Sequence, residues 1–270
     1  MSIFEYLFSI GPMRKLIWRL WYPFLTKRLQ SQDILFLNYA FQTDPPETFH
    51  LNPADEPNRA CIQLYRHVAT QIDLQNKSVL EISCGHGGGA SWISRTQAPA
   101  SYIGIDLNPT GIDFCQGRHQ VRGLQFQQGD AQHLPFPDQS VDGVINVEAS
   151  HCYPDFPGFL AEVARVLKPG GHLLYADFRF RESVPEWEHS LQNSKFIIKD
   201  TRDISADVLR GMDINAERSQ QLIRQCLPKP LQSLGLDFAG VPGSRIYEAL
   251  KAGQLSYRSW CLQRRDAEEI

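Results

Sequence analysis

From residue 78 onward, short β-branched runs alternate with stretches whose apolar residues return at helical spacing. "SVLEIS" (78–83), "SYIGID" (101–106), "LQFQQ" (124–128), "GVINV" (143–147) and "HLLYAD" (172–177) read as five strands. Between them, "GGASWISRT", "PTGIDFCQGRH" and "FPGFLAEVARVL" read as helices. Regular alternation of strand and helix predicts a parallel, doubly wound α/β sheet. "LKPGG" closes the fourth crossover, with Lys168 near a helix C-terminus and Pro169, Gly170 and Gly171 forming a turn into the fifth strand. Residues 55–74 read as a helix leading into the sheet. After Asp177 the pattern loosens into a sixth strand at "KFIIK", helical stretches from about 204 to 235, and a last strand at 255–264. The expected organisation is an N-terminal lid or cap segment (1–54), an α/β core (55–180), a substrate cap insertion (181–254), and a last strand with a C-terminal tail (255–270). The fold class is a Rossmann-like parallel sheet with an antiparallel last strand and a helical cap.

Composition narrows the partners. With 270 residues and 42% hydrophobic content, the chain supports one sizeable core with an appendage. A formal net charge of -3 leaves no basic surplus for phosphates, which argues against nucleic acid and for a small molecule. The six cysteines (Cys61, Cys84, Cys115, Cys152, Cys226, Cys261) lie far apart with no C-x-x-C pair, so reduced thiols in a cytoplasm are expected. No uncharged apolar run is long enough to span a bilayer. The aromatic-rich N-terminus carries Arg14, Lys15, Arg19, Lys27 and Arg28 against Glu5, and these charges break the apolar core that a cleaved leader requires. Two readings stay open there: a basic amphipathic helix on a membrane surface, or a lid whose aromatic face packs over the active site.

Open parallel sheets bind ligands where the loops leave the C-terminal ends of the strands. After the first strand comes "CGHGGGA", in which Gly85, Gly87 and Gly88 let a ligand approach backbone at a helix N-terminus. Gly85, Gly87 and Ala90 also satisfy G-x-G-x-x-A, so a nicotinamide dinucleotide is open at this point. Asp106, ending the second strand, suits both hydroxyls of a ribose. Asp130 and Ala131 in "GDAQHLPF" suit an adenine between strands two and three, an acid that a dinucleotide does not need there.

"VLEISCGHGG", "IGIDLN", "GDAQHLPF" and "RVLKPGGHLLYADF", in this order, resemble the successive motifs of class I S-adenosylmethionine-dependent methyltransferases and cover residues 78–178. The resemblance implies S-adenosyl-L-methionine as cofactor, S-adenosyl-L-homocysteine as its product, and no metal. By that resemblance Gly85 and Gly87 lie against the methionine part, Asp106 holds the ribose with Leu107 also in the cofactor set, and Asp130 with Ala131 frames the adenine. Asn146 and Val147 flank the sulfonium, and Glu81 completes the cofactor set. "SCGHGGGAS", "NVEASHCYPDFPGFLAEVARVLKPGGHL", "YADFR", "DEPNRA" and "GQLSYR" are similar, through nearly the whole chain, to the mycobacterial phthiotriol and phenolphthiotriol dimycocerosate methyltransferases. That family O-methylates a secondary alcohol on a polyketide-derived lipid, while related enzymes tailor other polyketides and peptide–polyketide hybrids. The similarity therefore implies a hydroxyl on a large apolar molecule more firmly than one particular lipid.

Methylating an alcohol requires its proton to leave as the carbon–oxygen bond forms, and a general base there contributes about 10² to 10⁴ in rate. His151, in the loop after the fourth strand, is the candidate base, because an imidazole of ordinary pKa is largely free to accept a proton at neutral pH. Asp177 at the tip of the fifth strand is its expected partner, holding one tautomer as in the hydrolase triads. The H-x-x-P-D and ADF pairing also resembles natural-product sugar O-methyltransferases, but the match fails at Cys152, where those enzymes tend to carry a second His. His151 as a positioning or turn residue and Asp177 as a cap are the plainer alternatives. Cys152 is read as a packing residue, and a metal at His151 and Cys152 as disfavoured because adjacent side chains diverge. Glu148 either contacts cofactor or caps. Trp18, Trp21, Tyr22 and Tyr39 are candidates to close the pocket and touch the sulfonium by cation–π contact. Three rivals remain: C- or N-methylation of a sterol- or quinone-like metabolite, a dinucleotide-dependent oxidoreductase, and a cofactor-binding scaffold without catalysis.

Overall fold

The computed structural model describes residues 33–265. Seven strands form one sheet in the order β3-β2-β1-β4-β5-β7-β6. They are β1 (Ser78–Ile82), β2 (Ser101–Asp106), β3 (Leu124–Gln128), β4 (Val141–Val147), β5 (Leu167–Phe180), β6 (Phe196–Asp203) and β7 (Leu255–Arg264). Strands β1 to β5 pair in parallel, whereas β7 runs antiparallel to both β5 and β6. The order of strand addition reverses at β1, with β2 and β3 laid down on one side and β4 and β5 on the other, which opens a crevice at the C-terminal tips of these strands.

Helices α1 (Arg59–Ala69), α2 (Gly88–Thr96), α3 (Pro109–Arg118) and α4 (Phe156–Val166) precede or connect the parallel strands. Two of them start from side-chain caps placed just past strand tips. Asn108 accepts the Thr110 N–H at 3.1 Å with Pro109 in the first turn, and Asp155 accepts the Gly158 N–H at 2.9 Å with Pro157 following. Each cap turns the chain away from the sheet and leaves the strand tip uncovered.

The central strands are buried on both faces, so neighbouring residues serve different cores. Along β5, Leu174 and Ala176 join Ile62, Leu64, Val68 and Tyr257 on one side. Leu173 and Tyr175 join Phe159, Val163, Trp187 and Trp260 on the other. There Tyr175 stacks on Trp260 with centroids 5.2 Å apart, and Trp187 meets Trp260 edge-on at 4.3 Å.

Residues 181–254 contain α5 (Val184–Gln192), the edge strand β6, α6 (Ser205–Cys226), α7 (Lys229–Phe238) and α8 (Arg245–Lys251). This stretch leaves and returns at one place, since Phe180 pairs with Leu255 and the Arg181 N–H donates to Gln254 O at 2.8 Å. The "LKPGG" stretch differs from expectation. It is counted within β5, where pairing jumps from Val141–Leu167 to Gly143–His172, so the residues read as a turn form a bulge around Gly170 at φ +72°. Among the described residues, no helix is long and apolar enough to cross a membrane, and all six cysteines are free thiols.

Candidate active site

A cavity of about 520 Å³ lies at the tips of the parallel strands, a size suited to a small-molecule ligand. Its walls are Ser83 to Gly85 after β1, Asp106 to Pro109 after β2, Gln128 to Gln132 after β3, and Val147 to Ala149 with Cys152 to Pro154 after β4. Tyr65 of α1 and the strap Leu35 to Asn38 complete it.

Gly85, Asp106, Leu107, Asp130, Ala131 and Val147, all expected at a cofactor site, line this cavity. Gly85 takes φ +57°, which turns its N–H onto Asp106 Oδ2 at 3.0 Å, and Asn108 donates its N–H to Oδ1 at 2.9 Å. Burial raises the Asp106 pKa against these backbone donors. A carboxylate held only by backbone N–H groups keeps lone pairs for a ligand's hydroxyls.

Glu81, Gly87 and Asn146 do not line the cavity. Glu81 is buried behind Tyr65, accepting the Tyr65 hydroxyl at 3.0 Å and the Tyr102 hydroxyl at 2.8 Å, and burial pushes its pKa up to about 7. Gly87, at φ +74°, fills a packing requirement: a Cβ there would come within 2.7 Å of the Phe126 ring and 2.9 Å of His119. Asn146 stands behind Tyr153, donating to Ile82 O and to the Tyr153 hydroxyl, each at 2.9 Å, while its Oδ1 is buried without a hydrogen-bond partner.

His151 and Asp177 meet as the topology requires. Val147 pairs with Ala176, so Asp177 lies one step beyond the last β4–β5 pair, and the turn Ser150–Cys152 brings His151 back over it. His151 Nδ1 is 2.8 Å from Asp177 Oδ1, and the His151 N–H donates to Oδ2 at 2.8 Å. Asp177 also accepts the Ser150 hydroxyl at 2.6 Å and the Phe178 N–H at 2.8 Å, and its Oδ2 is 3.2 Å from Arg179 Nη1. The carboxylate is fully buried. Burial alone would raise its pKa, but the His151 and Arg179 charges hold it well below the usual carboxylate range. On His151 burial opposes the charged form, yet the Cys152 sulfur and the Asp177 carboxylate outweigh it and push the pKa up to about 10.

The His151 ring is 26% exposed and stacks on Phe178 with centroids 4.4 Å apart. It does not line the 520 Å³ cavity, although Ala149 and Cys152 on either side of it in sequence do. Tyr39 and Tyr257 also pack on Phe178, each with its centroid 5.9 Å away. Tyr39 is therefore next to the site without lining the cavity, whereas Trp18, Trp21 and Tyr22 lie outside the described residues.

The strap falls within the expected lid or cap segment 1–54, but the sequence singled out none of its residues Leu35 to Asn38. Ile34 O is 2.7 Å from His86 Nδ1, and Leu35 O accepts the Gly88 N–H at 3.1 Å. A Cβ at Gly88 would sit 2.5 Å from Leu35 O, so that glycine admits the strap rather than a ligand. Tyr65 and Tyr153 were missed as well, and Glu148 turns out to line the cavity. No sequence periodicity marks such residues, because their partners are distant in the chain. Among the described residues, no group of three or more His, Cys, Asp or Glu side chains gathers as a metal site requires.

Residues 80–175 match the family model described as a methyltransferase domain. The phthiotriol/phenolphthiotriol dimycocerosates methyltransferase of Mycobacterium leprae is 51% identical over 96% of this chain and 96% of its own. A fatty-acid O-methyltransferase of Mycolicibacterium smegmatis is 46% identical over 90% of this chain and 88% of its own. Among solved structures, the [4+2]-cyclase SpnF superposes with a TM-score of 0.69 over 92% of this chain and 94% of that one, at 19% identity, a likeness of fold alone. Half-identity over nearly its full length means that the chain belongs to the phthiotriol/phenolphthiotriol dimycocerosates methyltransferase family, the S-adenosylmethionine-dependent methyltransferases of lipid and polyketide type.

Proposed function

We propose that the protein O-methylates a hydroxyl, a secondary alcohol on a large apolar polyketide-derived molecule, with His151 as general base. The observation that carries this reading is the 2.8 Å contact between His151 Nδ1 and a fully buried Asp177. The relatives bear on the acceptor class: one is named for a complex lipid, another for O-methylation of a fatty acid.

The cofactor, when bound, supplies an electrophilic methyl group on a sulfonium. The donor set of the cavity fits it. Asp106 would hold the ribose hydroxyls, Asp130 with Ala131 would face the adenine, and Gly85 would let the amino-acid part approach the backbone. On the acceptor side, Asp177 holds the Nδ1 proton of the neutral ring, which directs Nε2 to take the proton of the acceptor hydroxyl. As the ring becomes charged, the same carboxylate stabilises it. The strap and Tyr153 would exclude water, so that positioning and desolvation contribute the rest of the acceleration.

A second reading is favoured by the raised His151 pKa. An imidazolium at neutral pH would pair with an acceptor carboxylate, which needs no base, and the product would be a methyl ester. Incubation with methyl-labelled S-adenosylmethionine and a lipid extract, followed by mild alkaline hydrolysis, separates the two. A label that survives as an ether is expected. Its release as methanol would establish the ester, and a label on carbon or nitrogen would overturn O-methylation altogether.

A further inference from the structure

Glu148 has a backbone conformation that side chains rarely adopt, at φ +49°. Its own N–H is held by Ala176 O at 2.9 Å, so the conformation is fixed by β5. The effect is to turn the carboxylate into the cavity wall rather than along the sheet. There both oxygens accept the Tyr39 N–H at 2.9 Å, and Oε1 accepts the Tyr257 hydroxyl at 2.6 Å.

Tyr39 directly follows the four strap residues that form the opposite wall. The strap is irregular backbone crossing a ligand cavity, so each of its shielded N–H groups needs an acceptor from elsewhere. Phe41 finds Ala60 O at 2.8 Å and Gln42 finds Asp207 O at 2.9 Å, both backbone. The Tyr39 N–H instead uses a side chain from the tip of β4. The Tyr39 ring packs on Phe178, and Phe178 carries the His151 ring. Tyr257, the other donor to Glu148, packs on the same phenyl. One carboxylate thus ties together the roof of the cofactor cavity, strand β7 and the ring beneath the proposed base.

We propose that Glu148 is a positioning residue: through Tyr39 it holds residues 34–41 closed over the cofactor cavity and keeps Phe178 packed beneath His151. Cofactor exchange then requires the strap to lift from Glu148, and the alignment of His151 is completed only when the strap is down. This inference rests on the reading of the 520 Å³ cavity as the cofactor site.

Hydrogen exchange of the full chain without ligand tests the strap contact directly, and calorimetric binding of S-adenosylhomocysteine tests its consequence. Glu148→Ala should exchange the Tyr39 amide at least tenfold faster while the β4 amides stay unchanged, and should bind S-adenosylhomocysteine at least tenfold more weakly. Glu148→Gln keeps an oxygen for the Tyr39 N–H and should stay within threefold of wild type in both measurements. Unchanged Tyr39 exchange in Glu148→Ala overturns the proposal. So does acceleration spread equally over the strap and β4, which would mark general loosening. Should Glu148→Ala not fold, Tyr257→Phe removes one donor from the carboxylate and should speed Tyr39 exchange threefold or more, with no change counting against the proposal. If wild-type protein binds S-adenosylhomocysteine without protecting the amides of 83–87 and 106–108, the cavity reading fails, and the Tyr39 exchange still decides the strap contact.

Discussion

Asp106 ends β2 and Asp177 lies in β5 one step past its last pair with β4, and their surroundings drive them in opposite directions. Asp106 is half-buried at the cavity edge, takes only backbone N–H donors, and has its pKa raised by burial. Asp177 is fully buried, takes donors from Ser150, His151, Phe178 and Arg179, and has its pKa pushed down. A carboxylate with lone pairs left over can serve a ligand, whereas one already saturated can only organise the protein around it. On the proposed function, the cavity edge at Asp106 is thus built to be completed by a ligand, whereas the surroundings of Asp177 are complete in themselves.

The sharpest way to break this contrast is Asp177→Ala. It takes the carboxylate away from the buried Arg179 guanidinium and should cost about 3–5 kcal/mol of stability in chemical denaturation. A loss below about 1 kcal/mol would mean that Asp177 does not organise its surroundings. Next, His151→Ala should lower kcat at least a hundredfold with S-adenosylhomocysteine affinity within threefold of wild type, and a kcat loss under threefold would remove it as base. Asp106→Ala should show the reverse pattern, with cofactor affinity about 10- to 100-fold weaker and kcat at saturation little changed. Equal losses in both parameters would place Asp106 on the wrong side of the comparison.

A pH series sharpens it further. The folded pKa of His151 lies above the ordinary 6.5, so the stability from its pairing is fully present below about pH 6.5 and is lost as pH rises towards 10. A base must be unprotonated, so kcat/KM should rise over the same interval. Activity and stability would then run in opposite directions with pH, and a rate profile flat above pH 6.5 would contradict His151 as base. The smallest effect is expected at Asp33→Asn, which removes an exposed ion pair with Arg118 and should change stability by less than about 1 kcal/mol.

The same division governs what the sequence could disclose. The cofactor half announces itself because its requirements are local: a β-branched run, a turn, an acid at the strand tip. Gly85, Asp106, Asp130 and Ala131 all came to the cavity from positions readable in that way. His151 and Asp177 were legible because adjacent parallel strands bring their tips together. For Glu148 only a choice between cofactor contact and cap was legible, and its tie to Tyr39 and Tyr257 was not, since each lies 109 residues away. Glu81 and Asn146 sit at positions typical of a cofactor wall, but the phenols of Tyr65 and Tyr153 intervene, and no spacing rule anticipates an aromatic ring in the way. Lys168–Gly171 carries the residues of a turn, yet the strand continues through it as a bulge because β4 resumes pairing at His172.

The hydrogen bond from Arg181 to Gln254 has a consequence for engineering. A stretch whose two ends are already joined can be exchanged between homologues through two adjacent junctions, carrying its own edge strand and helices with it. Chimeras cut at Phe180 and Leu255 would leave β1 to β4 and the glycine loop untouched. Such chimeras would test whether this stretch carries acceptor preference from one relative to another.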